Sequence, residues 1–441
     1  MSLRYCTAPG GQVGGRLRVP GDKSISHRAV MLASLADGVS DISGFLTGED
    51  CLCTMKAFQA MGVRIEALTS TQLRVHGVGL HGLRAPAAAL DLGNSGTSMR
   101  LMSGLMAGQA FASTLIGDTS LSKRPMRRIV EPLRSMGATI ITTQTGTAPL
   151  QIEPVRKLEA IRYTSPVASA QVKSGILLAG LYAQGLTEVL EPHPTRDHTE
   201  RMLQAFGVTV EARPGQAAVR GGQRLNATAI EVPADISSAT FFMVAAAITP
   251  GSEVWLEGVG VNPTRDGIIH ILREMGVTIE LLNPRQFGGE PVVDLLVRGP
   301  VRLRAAELGG ARVANAIDEL PAVFIAAACA DGETIVRDAA ELRVKESDRI
   351  AAMVNGLGAI GVQAEARPDG ARIRGVGAGG RLGGGVVDSL GDHRIAMSFA
   401  VAGLRAAGAI TVLDCANVDT SFPGFAGLAQ SAGLRLVVEP A

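Results

Sequence analysis

Met275-Gly276-Val277-Thr278-Ile279 reads as a junction, a helix that stops at a glycine and a β-favouring run that begins at once. The same kind of junction recurs at Gly62, Gly137, Gly207, Gly361 and Gly433. The segment before such a glycine is amphipathic: Met126, Ile129, Val130, Leu133 and Met136 fall at i, i+3, i+4, i+7 and i+10, the stripe of a half-exposed helix. A second segment alternates with the first. It has a polar head, about ten small or apolar residues, then a glycine and a strand-like run such as Ala409-Ile410-Thr411-Val412-Leu413. Its glycines are Gly38, Gly108, Gly185, Gly251, Gly332 and Gly408. Ala29 to Ala36 is apolar nearly all round, which marks this second kind of helix as buried.

The chain is therefore expected to hold six copies of one unit: strand, buried helix, strand, surface helix, strand, strand. Distinct capping repeats are absent, which argues for closure into compact groups rather than an open solenoid. Three plus three gives two α/β domains. The polar passage Glu231-Val232-Pro233-Ala234-Asp235 precedes the fourth copy, and an N-terminal strand ending near Val19-Pro20-Gly21 precedes the first. The expected domains are 21–235 and 1–20 with 236–441, with chain crossings near residues 21 and 235.

With 441 residues, 46% of them apolar and 19% charged, the chain can bury a substantial core. Its 42 basic against 41 acidic residues give a net charge of +1, so bulk electrostatics gives no reason to expect nucleic acid or an acidic membrane as partner. Aromatic residues at 3% leave little to stack bases on. Met1 to Cys6 lacks the apolar run of a signal peptide, and a cytoplasmic location is the expectation. Five irregularly spaced cysteines suit a reducing compartment, and Cys51-Leu52-Cys53 has the wrong gap for a structural zinc site.

The heads of the buried segments are polar: Lys23-Ser24, Asn94-Ser95-Gly96-Thr97, Ser169-Ala170-Gln171, Asp235-Ile236-Ser237-Ser238, Asp318-Glu319 and Asp392-His393-Arg394. N-capping accounts for about half of them. It does not account for the cations Lys23, Arg28, Arg100 and Arg394, which oppose the positive end of a helix unless an anion sits among them. Ser122-Lys123-Arg124-Pro125-Met126-Arg127-Arg128 opens a surface helix, and Leu342 to Arg349 reads as a helix of alternating charge. A carboxylate such as Glu346 between Lys345 and Arg349 could trade protons while the cations hold an anionic ligand.

At these residues the sequence resembles the enolpyruvyl transferases over essentially its whole length. The resemblance rests on Gly21-Asp22-Lys23-Ser24, Leu92 to Thr97, Lys123-Arg124-Pro125-Met126, Ser169 to Lys173, Arg343 to Arg349, Asp392-His393-Arg394 and Ser421-Phe422-Pro423. Arg196 to Glu200 and Asn262-Pro263-Thr264-Arg265 are similar to motifs of the family's second class, many of whose members tolerate glyphosate. The resemblance implies two domains, each of three βαβαββ units around buried parallel helices (an inverse α/β barrel) joined by a double crossover. It implies transfer of the enolpyruvyl group of phosphoenolpyruvate to the 5-hydroxyl of shikimate 3-phosphate by a monomer, on the route to chorismate and the aromatic amino acids. No metal or organic cofactor is implied.

By resemblance, Asp318 takes the hydroxyl proton, and Glu346 and Lys23 are the candidates for protonating and later deprotonating the methyl carbon. Lys23, Gly96, Arg124 and Gln171 match the cradle of the phosphoenolpyruvate phosphate, and Glu346, Arg349 and Arg394 complete that substrate's contacts. Lys23, Ser24, Arg28, Ser169, Ala170, Gln171, Arg196, Asp318 and Lys345 match the positions around shikimate 3-phosphate. His393 is either a site residue or packs beside Arg394. The first class has Ser and Tyr where this chain has Pro192 and Thr195, so Arg196 is expected to take over phosphate binding. Thr420 replaces a family lysine. Gly96 points to glyphosate sensitivity, because a methyl group there crowds the inhibitor in the family, while the second-class motifs point to tolerance.

Three rivals compete. One is a relative acting on UDP-N-acetylglucosamine, which usually carries Lys-Asn near its start and a reactive loop cysteine; this chain has Lys23-Ser24 and no cysteine from Asp118 to Arg124. The others are an RNA-binding relative and a non-catalytic anion-binding protein, opposed by the charge balance and by the presence of Asp318 and Glu346. Because ligating residues fall on both sides of Asp235, substrate binding is expected to draw the domains together.

Overall fold

A computed structural model describes residues 3–440. Met1, Ser2 and Ala441, the ends of the expected second domain, lie outside the described residues. The chain groups into two units, one of residues 21–232 with the turn Phe287–Glu290, the other of the N-terminal residues to Pro20, 233–286 and 291 onward. Each has its own hydrophobic core.

In the 21–232 unit, α1 (Lys23–Leu35), α3 (Gly96–Ala107) and α5 (Ala170–Gly180) are the buried helices, alternating with α2 (Glu49–Ala60), α4 (Arg127–Ser135) and α6 (His198–Ala205). The other unit runs α7 (Ile236–Ala247), α8 (Gly267–Glu274), the short α9 (Ala311–Asn315), α10 (Leu320–Cys329), α11 (Arg349–Ala359), α12 (His393–Ala402) and α13 (Phe425–Ser431). Every residue of α7 and α10 is buried, so these helices show no polar face. Helices α3 and α5 meet at their backbones: a Cβ at Gly104 would stand 2.0 Å from the Gly175 carbonyl oxygen, which forbids any side chain.

Each unit carries three four-stranded sheets of one design. In the second repeat, Leu90–Asp91 pairs parallel with Ser113–Ile116, which pairs antiparallel with Leu150–Ile152, itself antiparallel to Ile140–Ile141. The expected order of strand, helix, strand, helix, strand, strand is thus present, and the surface helices end as read: Gly276 takes φ 99°, a left-handed conformation that Gly62, Gly137, Gly207, Gly361 and Gly433 repeat.

Three local readings change. The N-terminus supplies two strands, not one: Gly14–Leu17 is the first strand of the fourth repeat, parallel to Glu253–Gly260, and Leu3–Thr7 fills the sixth repeat between Ile410–Leu413 and Leu436–Pro440. Pro9-Gly10-Gly11, with both glycines at positive φ, breaks the run between them. The first repeat in turn takes its first strand from Ile230–Glu231. The surface helix opens only at Arg127: a 3-10 turn ends at Lys123 and Arg124 is extended, since the residue before proline avoids the helical region. The charged run from Leu342 is likewise no single helix. A 3-10 turn, Ala340–Val344, ends at an extended Lys345, and α11 starts only at Arg349 behind its N-cap Asp348. Asp348 is a strong cap, and its side chain accepts from the Ala351 N–H at 3.0 Å.

Candidate active site

Capping explains more of the helix heads than expected. Asp22, Ser95, Ser169, Asp235 and Asp392 each accept a backbone N–H of the first turn. Glu319, the N-cap of α10, makes no such bond. Its carboxylate instead accepts the Ser237 hydroxyl and lies 3.7 Å from Arg265 and 3.9 Å from Arg394. Arg265 in turn donates to Ser237 Oγ at 2.6 Å and approaches Asp235 at 3.4 Å, so the heads of α7 and α10 are tied by one buried charge network.

In the 21–232 unit, Lys23 at the first position of α1 pairs with Asp50 of α2. One turn on, Arg28 is buried and donates to the Ser24 carbonyl (2.9 Å), Ser174 Oγ (2.9 Å) and Thr199 Oγ1 (2.7 Å). Burial pulls its pKa down to about 10, against the opposing pull of Glu200 and Asp22, so it stays cationic at neutral pH. Ser169, half-buried, caps α5, which begins at Ala170. Gln171 bridges two elements, donating to Thr97 at 2.9 Å and accepting from Arg100 at 2.5 Å. Arg124 donates to Asn94, whose amide donates to Asp118 at 2.6 Å, while Asp118 also takes the Leu121 N–H at 2.7 Å. A Cβ on Gly96 would meet the Nη1 atoms of Arg100 and Arg124 at 3.0 and 3.1 Å.

Arg196 stands just before α6, on a turn fixed from below. Thr195 donates to Glu191 at 2.6 Å, and buried Lys173 lies 3.0 Å from Glu191 and 2.8 Å from Glu200. Burial alone would lower the Lys173 pKa; the charges of Glu200 and Glu191 outweigh it and hold it above the ordinary value.

In the other unit one guanidinium gathers three carboxylates. Arg349, 1% exposed, reaches Asp392 at 2.8 Å, Glu346 at 2.5 Å and Asp318 at 3.4 Å. Burial would depress its pKa, but the charges of Asp392, Glu346 and Asp318 prevail and raise it. Asp392 shows the reverse: burial pushes its pKa up, and Arg349 wins and holds it low. Lys345 approaches the same Asp318 oxygen at 3.4 Å. Arg394 donates to the Asp318 carbonyl at 2.8 Å, and its N–H to the Asp392 cap at 2.9 Å. His393 is buried at the start of α12, and Thr420 turns its hydroxyl onto the Asn417 carbonyl at 2.7 Å.

The residues read from sequence thus form two groups: Lys23, Ser24, Arg28, Gly96, Arg124, Ser169, Ala170, Gln171 and Arg196 in one unit, Asp318, Lys345, Glu346, Arg349 and Arg394 in the other. The Arg28 partners Thr199 and Ser174, and Asp392 as a ligand of Arg349, went unread. Asp392 carried a signal, since a capping carboxylate two residues before a cation, Arg394, can serve two partners. Among the described residues no cluster of His, Cys, Asp or Glu is arranged to hold a metal ion, and no helix is long and apolar enough to cross a membrane.

A family model for EPSP synthase (3-phosphoshikimate 1-carboxyvinyltransferase) matches residues 7–428. A curated 3-phosphoshikimate 1-carboxyvinyltransferase from Methylococcus capsulatus is 61% identical over 439 residues, covering 98% of each chain. One from Alkalilimnicola ehrlichii is 57% identical, over 98% of this chain and 96% of its own. A solved structure of EPSP synthase from Acinetobacter baumannii superposes with a TM-score of 0.89 at 51% identity, covering 100% of both chains. With a full-length match in sequence and in fold, this chain belongs to the EPSP synthase family.

Proposed function

We propose that this chain transfers the enolpyruvyl group of phosphoenolpyruvate to the 5-hydroxyl of shikimate 3-phosphate and releases phosphate. The observation that carries the mechanism is the convergence of Asp318 and Glu346 on Arg349, at 3.4 and 2.5 Å. The reaction adds a proton to the methylene carbon of phosphoenolpyruvate while the hydroxyl oxygen bonds to the adjacent carbon. The tetrahedral intermediate then loses a methyl proton and phosphate. Two proton transfers of opposite sense require a base and an acid in one place. Asp318 accepts the hydroxyl proton; Glu346, with Lys23 as the second candidate, delivers and recovers the carbon-bound proton. A fork-shaped guanidinium suits a carboxylate, which supports Arg349 and Arg394 as the grip on that of phosphoenolpyruvate.

Lys23, Gly96, Arg124 and Gln171 receive its phosphate. Lys23, Ser24, Arg28, Ser169, Ala170, Gln171 and Arg196 receive shikimate 3-phosphate, whose hydroxyls meet Asp318 and Lys345. The charge that Arg28 keeps among neutral partners supports this reading. Residues 21–235 are the first enolpyruvyl transferase domain, and 1–20 with 236–441 the second. The division of the chain into two units at Pro20 and at Val232 supports that assignment, except that the turn Phe287–Glu290 goes with the first unit. The protein works in the cytoplasm, which an odd number of irregularly spaced cysteines favours.

The test is phosphate release from phosphoenolpyruvate with shikimate 3-phosphate, run beside UDP-N-acetylglucosamine as acceptor. Release with the first alone is expected. Release with the second alone, or with neither, overturns the assignment.

A further inference from the structure

Below the Lys23–Asp50 pair lies a second polar layer for which the reaction has no direct use. His27 is fully buried. Its Nδ1 lies 2.8 Å from Thr54 Oγ1 and 3.1 Å from Ser98 Oγ, and its Nε2 lies 3.2 Å from Ser95 Oγ. Thr54 and Ser98 are themselves in hydrogen-bond contact. The imidazole therefore touches α2 and the head of α3 from its place on α1.

The spacing gives this layer a purpose. His27 follows Lys23 by four residues on α1, and Thr54 follows Asp50 by four on α2, so both pairs are stacked one helical turn, about 5.4 Å, apart. Ser95 is the N-cap of α3, with its Oγ accepting the Ser98 N–H at 3.1 Å, and Gly96 is the next residue. Asp50 also reaches the loop ahead of α3: a Cβ on Gly93 would lie 4.0 Å from its Oδ1. The outer rung is Lys23 and Asp50; the inner rung is His27 with Thr54, Ser98 and Ser95. A buried polar cluster with satisfied partners holds helices in one register more strictly than apolar packing does. The ring is also kept neutral: burial lowers its pKa well below the ordinary value, and Lys23 and Arg28 add to that effect while Asp22 opposes it. A neutral imidazole has one donor and one acceptor nitrogen, which fits hydroxyl partners able to play either part.

We propose that His27 is a positioning residue that sets the heads of α1 and α3, and so the distance of Lys23 from Gly96, for the phosphate of phosphoenolpyruvate. This rests on the assignment of Lys23 and Gly96 to that substrate. Lys23 and Ser24, which also serve shikimate 3-phosphate, share the head of α1, but Arg28, Ser169 and Arg196 are held by other partners, so shikimate 3-phosphate is affected less.

His27→Phe keeps a ring of similar bulk without polar atoms, and His27→Asn restores an amide near Nδ1. For His27→Phe the KM for phosphoenolpyruvate rises about tenfold and that for shikimate 3-phosphate less than about threefold, because the buried hydroxyls lose a partner. His27→Asn returns the first KM to within about threefold of the parent. Thr54→Val, a change on a different helix, gives the same selective rise and serves if His27→Phe does not fold. Equal changes in both KM values, an unchanged KM in His27→Phe and Thr54→Val, or no recovery in His27→Asn would each overturn the proposal. Lys23→Gln separates the two levels. If it leaves the KM for phosphoenolpyruvate unchanged, the site assignment itself fails; if it raises that KM while His27→Phe does not, only the positioning role fails.

Discussion

Arg28 and Arg349 are both buried arginines near the head of a helix, yet they are held in opposite ways. Arg28 hydrogen-bonds to two hydroxyls and a carbonyl, with the charges of Glu200 and Asp22 acting only from farther off; Arg349 pairs directly with three carboxylates. Burial wins at Arg28 and draws its pKa down to about 10, whereas charge wins at Arg349 and drives its pKa up. A cation among neutral partners keeps its charge for an incoming anion. A cation among carboxylates is committed, and what it offers is the placement of those carboxylates. Under the proposed function, one region binds and the other binds and moves protons.

Removing each arginine should separate these roles. Arg349→Met leaves Asp392 buried with its main counter-charge gone, and should cost about 3–5 kcal/mol in urea unfolding as well as nearly all turnover. Arg28→Met should cost less than half of that, because Ser174 and Thr199 still bond each other at 2.7 Å, while the KM for shikimate 3-phosphate rises about 10- to 100-fold. Equal stability losses would break the contrast.

Gly96→Ala sharpens it within the anion-binding region. The added methyl meets the mobile ends of Arg100 and Arg124, which can yield by a few tenths of an ångström. The glyphosate inhibition constant should rise at least about tenfold more than the KM for phosphoenolpyruvate, and equal changes would defeat the steric account.

The smallest expected effect is on pH dependence. His27 has a lowered pKa in the folded state, so the unfolded chain binds a proton that the folded chain refuses once pH falls below about 6.5. Stability contributed by the neutral ring is present above that pH and lost below it, by at most about 1.4 kcal/mol per pH unit. Urea unfolding from pH 7 to 5 should show a shallower slope in His27→Asn than in the parent; identical slopes would remove His27 from the account.

Much of this was legible in sequence because the repeat carries it. Gly276 and its counterparts mark helix ends through a backbone conformation that glycine favours, and the stripe from Met126 to Met136 is buried as its spacing implies. Strand exchange was harder to read: Ile230–Glu231 completes the first repeat from far along the chain, and no local pattern announces its partner. The site divides in the same way. Asp318, Glu346 and Arg349 stand in short motifs whose residue types suggest their chemistry. The hydroxyl partners of Arg28 lie 146 and 171 residues away, and Glu319 abandons its cap for Ser237, choices made by packing rather than by spacing.

The most direct test of the central claim is single-turnover phosphate release by Asp318→Asn and Glu346→Gln, with both KM values determined alongside. The account predicts a fall in rate of about 100-fold or more in each, with KM values within about threefold of the parent. Rates within threefold of the parent in both variants would contradict it, and proton transfer would have to be sought elsewhere.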